Sequence, residues 1–167
     1  MNRTRETIIP LVIGLGLAII QQGIINRADG IIAINIVLVA VIVYLANRRI
    51  LPALVLTIAA GYFIDWQAGS YWPIHVVGLV ISGAIFLFVY RRLFVSETWI
   101  SLVTSAVIAN LSYAIYITIY TTVKNGNISP DQWTRISWSY ASQLVITAVI
   151  MYFVYRLKRR NLFTVNT

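Results

Sequence analysis

The sequence contains no cysteine and a single histidine, His75. Disulfides, thiolate catalysis and cysteine metal ligands are therefore excluded, and one imidazole cannot build a multi-histidine metal site. Charge is scarce as well. Only 11% of residues are charged, where a soluble domain typically has about 25%. There is no glycine-rich phosphate loop of the P-loop type. Serines are plentiful, and one of them with His75 would make a nucleophile–base pair, but no motif frames such a pair. Intrinsic catalysis is not expected.

What fills the chain is apolar: 59% of its 167 residues are hydrophobic. A membrane-spanning helix needs about 20 such residues, so six spans account for nearly the whole length and leave no room for a soluble domain. The expected fold is an all-α integral membrane protein, a compact bundle of six transmembrane helices forming one domain over residues 1–167. The expected helices are 7–25, 31–46, 52–65, 72–90, 97–120 and 130–157. Arg3 and Arg5 before an apolar run look like the start of a signal peptide. Gln21 and Gln22 replace the small-residue cleavage site, however, and the first helix is expected to be retained.

A net charge of +8 invites a nucleic-acid reading, but the basic residues are not patched for one. They fall at helix ends. One set of ends carries Arg3, Arg5, Arg48, Arg49, Arg91, Arg92, Arg156, Lys158, Arg159 and Arg160, and the other carries Arg27, Lys124 and Arg135. By the positive-inside rule that asymmetry places both termini in the cytoplasm. The same orientation sends Trp66, Trp72, Trp133 and Trp138 toward the outer interface, where aromatic belts form.

Several helices carry small or polar residues at helical spacing. Gly14 and Ala18 stand four apart, as do Gly78 and Ser82. Such pairs let helices approach closely, and ordinary intramembrane packing is the favoured reading over a partner-docking face. Ser101, Ser105, Ala109 and Ser112 form a stripe on the fifth helix, with Asn110 beside it expected to bond to a neighbouring helix. Ser139, Gln143 and Thr147 form a polar stripe expected to face inward, because bare polar groups are costly in lipid. Arg27–Gly30 reads as a turn and Thr121–Ile128 as the longest loop. Ser70, Ser96 and Ser129 read as helix starts, and Pro52, Pro73 and Pro130 fit first turns.

The stretch from Gly61 to His75 concentrates the chemistry. An acid at a helix centre in the bilayer costs roughly 2.5–3.5 kcal/mol on insertion scales. Asp65 is therefore at an interface, paired inside the bundle, or functional. With the third helix ending at Asp65, fourteen residues reach roughly 21 Å, short of the ~30 Å core, which would leave the acid in a water-accessible notch. Extension through Trp66 would instead lift it to the interface. Asp65 and His75 flank one short connection and would suit a proton relay. Local capping and pairing is the favoured alternative.

Gly61-x-x-x-Asp65, followed by Gly69-Ser70 and His75, resembles the MreD family, the small membrane subunit of the bacterial rod-shape machinery. The resemblance extends to Arg91-Arg92-Leu-Phe, to Gln143 where the family tends to have asparagine, and to the basic end Tyr155–Arg160. Pro73 stands where a glycine is usual. The resemblance implies a non-catalytic scaffold of the bacterial inner membrane with no cofactor. It implies association with a single-span MreC-like protein and, through it, with MreB, RodA and a class B penicillin-binding protein. The family also resembles in fold the six-helix substrate-binding subunits of energy-coupling-factor vitamin transporters. That is the alternative reading, for which Gly14 and Ala18 would supply a docking face on helix 1. An ion or proton pathway would rest on Asp65 and His75 alone.

Overall fold

A computed structural model of the chain describes residues 3–25, 35–93, 98–126 and 130–163. Six α-helices make up nearly all of this: α1 (Arg3–Ile20), α2 (Ile36–Ala46), α3 (Ile50–Gln67), α4 (Ile74–Phe88), α5 (Trp99–Asn125) and α6 (Pro130–Phe163). Wider π turns extend α1 through Gln21–Ile25 and α4 through Val89–Leu93. Five helices are long and apolar enough to cross a membrane, and α2 is a shorter apolar helix. The chain has the architecture of a multi-pass membrane protein.

The helices form an arc around α2. In order of packing, α1 lies on α3, α3 on α4, α4 on α5 and α5 on α6, while α2 touches all five. Of the eleven residues of α2, seven are buried, including Val37, Leu38, Val41 and Ile42. Apart from the Tyr44 hydroxyl this helix has no polar side chain, and it is the hydrophobic axis of the molecule. Around it Leu56, Ile64, Leu79, Phe86 and Met151 complete the core. At the ends of the arc, α1 and α6 leave most of their apolar surface uncovered.

Helices α3 to α6 alternate in direction: Gly61 lies against Val76 and Asp65 against His75, Gly78 meets Tyr116 while Ser82 meets Ser112, and Thr118 meets Tyr140 while Asn110 meets Thr147. The α2–α3 connection with Arg48 and Arg49, the end of α4 with Arg91 and Arg92, and the end of α6 with Arg156 therefore share one end of the bundle. Trp66, Tyr71, Trp72, Trp133 and Trp138 are exposed toward the other.

Several expected boundaries move, each for a local reason. α2 begins at Ile36 rather than residue 31, because the Asn35 side chain accepts the Leu38 N–H at 2.9 Å and caps the helix there. α3 runs from Ile50 to Gln67, 18 residues or about 27 Å, so Asp65 lies inside its last turn and not at its end. α4 begins at Ile74, and Ser70 is not its cap: the Ser70 hydroxyl donates to the Trp72 carbonyl at 2.9 Å within the connection. α5 is capped by Thr98, with Ser101 returning the bond in a capping box, and it continues to Asn125. The loop expected to begin at Thr121 is thus helix for its first five residues. Thr121 and Thr122 hold their hydroxyls on the carbonyls of Ile117 and Thr118, so the helix satisfies them itself. α6 extends past residue 157 to Phe163. The turn at Arg27–Gly30 and the starts at Ser96 and Ser129 lie outside the described residues.

Candidate functional site

The connection from α3 to α4 is built by three glycine- and carboxylate-dependent contacts. α3 ends in a Schellman motif, in which Gly69 takes the left-handed conformation (φ 63°). The Gly69 N–H reaches the Trp66 carbonyl at 3.1 Å, and the Ser70 N–H reaches that of Asp65 at 2.9 Å. A side chain at Gly69 would be strained by the backbone alone, which is why glycine belongs there.

The chain then turns back and α4 starts beside α3. Its N-cap residue is Pro73, which makes no side-chain cap bond. The cap comes instead from the preceding helix. The Asp65 carboxylate accepts the His75 N–H at 3.0 and 3.1 Å on its two oxygens, and the Val76 N–H at 3.4 Å. The Ile74 N–H is taken by the Trp72 carbonyl at 2.8 Å. The first three donors of α4 are therefore all held. A carboxylate at a helix N-terminus is also favoured by the helix dipole.

The same carboxylate holds the histidine ring, with His75 Nδ1 and Asp65 Oδ1 2.7 Å apart. An ionised carboxylate can only accept, so Nδ1 then carries the hydrogen. Asp65 is 2% exposed, and its side chain opens into no notch. The expectation of a water-accessible acid is corrected by the longer α3 and by the backbone of α4 lying over it.

Gly61 makes this approach possible. A Cβ there would fall 2.7–2.9 Å from the side chain, Cα and N of Val76. Gly61 and Asp65 stand four positions apart, so both lie on the face of α3 that meets α4. The spacing has a physical meaning: glycine admits the helix N-terminus, and the acid one turn on caps it. Gly61, Asp65, Gly69, Ser70 and His75 are all brought together in this one connection.

The helix-packing candidates sit deeper. A Cβ on Gly78 would come within 2.9–3.1 Å of the Tyr113 and Tyr116 rings of α5. One turn on, Ser82 donates to the Gly78 carbonyl and accepts from Ser112. Ser105 and Ala109 are fully buried, with the Ser105 hydroxyl on the Ser101 carbonyl. Gly14 packs against the Leu56 backbone of α3 and Ala18 is fully buried, so this small-residue face of α1 is used inside the bundle. Gln143 donates to Asn110 at 2.6 Å, and Asn110 donates to Thr147 at 3.0 Å, joining α5 to α6.

Two polar residues have roles the sequence did not signal. Gln21 accepts the Val37 N–H at 3.3 Å, and with Asn35 it caps α2 from the end of α1. The isolated polar residues at both ends of that connection were the available sign. Among the described residues no buried side-chain nitrogen or oxygen lacks a partner. Nor do three His, Cys, Asp or Glu side chains gather among them. No family model, curated protein or solved structure matches the chain.

Proposed function

We propose that this protein is a non-catalytic scaffold or regulatory subunit of the bacterial cell-wall elongation machinery, similar to MreD. In this reading it lies in the inner membrane with both termini cytoplasmic and binds a single-span MreC-like partner. Through that partner it links to MreB, RodA and a class B penicillin-binding protein in peptidoglycan synthesis. The observation that carries the reading is how Asp65 is used. Its oxygens are engaged by the backbone of α4 and by His75, so the most distinctive acid of the chain braces a helix connection. The poorly covered apolar faces of α1 and α6 offer a partner helix two edges to pack on. The basic end of the bundle supports the orientation.

The vitamin-transporter alternative is weakened by α1. Its small-residue pair is covered by α3 rather than presented outward. Affinity purification from native membranes separates the two readings: a single-span protein should copurify, and an ATPase module should not. Cysteines at Asn127 and Asn47 test the orientation. Only the former should react with an impermeant thiol reagent in intact cells, and the opposite pattern overturns it.

A further inference from the structure

An apolar groove runs along the surface where α2, α3 and α4 meet, with about 140 Å³ of free space. Its floor is Leu45, Ala53 and Thr57, all nearly fully buried, and its walls include Leu54 and Val80, which are half exposed. Ala84 and Gly83 leave it open where larger residues would close it. The space is comparable to an engineered apolar cavity of about 150 Å³ that stays dry and takes a benzene-sized guest. A helix, about 10 Å across with its side chains, is too wide to enter. A stretch of acyl chain is not.

Toward the basic end of the bundle the groove is lined by Ile50 and Leu87. There the α2–α3 connection carries Arg48 and Arg49, and the turn after α4 carries Arg91 and Arg92, all four exposed. Apolar slot and basic rim are thus arranged in the order of a phospholipid's own parts. Guanidinium groups match phosphate in geometry as well as charge. We propose that this groove is a binding site for an anionic phospholipid of the leaflet at the basic end. One acyl chain lies between α3 and α4 over Leu45, and the phosphate rests among the arginines. The field at the N-terminus of α3, which begins without a side-chain cap, adds to the attraction.

Native mass spectrometry of the detergent-purified full chain tests this, using phosphatidylglycerol and phosphatidylcholine with identical oleoyl chains. Retention of phosphatidylglycerol should exceed that of phosphatidylcholine by at least about tenfold, since two of the four arginines engaging the phosphate at roughly 1 kcal/mol each already suffice for that. Replacing Arg48, Arg49, Arg91 and Arg92 by Gln should bring the two lipids level. Ala84→Phe should reduce retention of both. Leu54→Trp fills the slot from the opposite wall and decides the matter if the first variant loses its wild-type thermal unfolding. Equal retention of the two lipids by the wild type overturns the proposal, as does wild-type retention by a folded filler variant. A dimer that Ala84→Phe abolishes also overturns it, by showing a second copy on this face.

Discussion

Asp65→Leu should be among the most damaging single substitutions in the chain. It removes both acceptor oxygens and strands the His75 and Val76 N–H groups at a site where the native side chain is 2% exposed. Each orphaned buried donor costs about 1–3 kcal/mol, so the sum over the two is about 2–6 kcal/mol. Asp65→Asn behaves differently. One oxygen still accepts the His75 N–H, and the amide can donate to Nδ1 once the ring takes its other tautomer. Charge assistance is lost, while the expense of burying a charge is relieved. These oppose each other, and a net loss of about 1–2 kcal/mol is expected. His75→Ala keeps both backbone bonds to Asp65 and should cost about 1 kcal/mol. Reversible unfolding in mixed micelles with rising dodecyl sulfate, followed by circular dichroism, gives the order. An asparagine variant as unstable as the leucine one would refute the capping argument, as would His75→Ala exceeding both. Under the proposed scaffold role, Asp65→Asn should restore cell shape in cells lacking the native protein. Failure to do so while partner assembly persists would refute a purely structural role for the carboxylate.

Gly61→Ala should destabilise by about 1–3 kcal/mol, because the added carbon meets the Val76 backbone. Gly78→Ala meets only tyrosine rings, which can turn aside, and should cost less; the reverse ranking in the same unfolding assay would displace α4 from its described position. Asn110→Ala should cost about 1–3 kcal/mol by leaving Gln143 and Thr147 unpaired. The Asn110→Leu, Gln143→Leu double variant should recover part of that loss, and a strictly additive result would mean the two side chains do not interact. Arg48 takes a left-handed conformation (φ 60°), so Arg48→Gly should raise stability by about 1 kcal/mol; no gain in the unfolding midpoint would refute this.

The helical, membrane-like character of the chain was plain in its composition; Asp65 stood out as an acid between apolar flanks, and Gly61 only through the family resemblance. The roles of Ser70 and Pro73 were not legible, because the donors of α4 are held by a residue ten positions earlier. Local capping rules look only at the helix's own first residues. The start of α2 was hidden for a similar reason, since the cap Asn35 sits in a run that is otherwise apolar. At the other extreme, Asn125-Gly126 does end a helix as a breaker should, with Gly126 at φ 77°. The threonines before it looked like loop only because their hydroxyl bonds to Ile117 and Thr118 cannot be seen in composition.

The brace between α3 and α4 has a bearing on the order in which the molecule is made. Asp65 and His75 are ten positions apart, and Gln21 reaches Val37 across sixteen. The links that fasten α6 to α5 span 22, 33 and 37 positions. Short separations close early and cheaply. During synthesis from the N-terminus, the first four helices can lock while α5 and α6 are still being produced. A chain arrested after α4 already holds its carboxylate cap and its close glycine contact. The last helix to arrive is also the one with the most uncovered surface, so whatever joins the protein at that edge meets an arc that is already set.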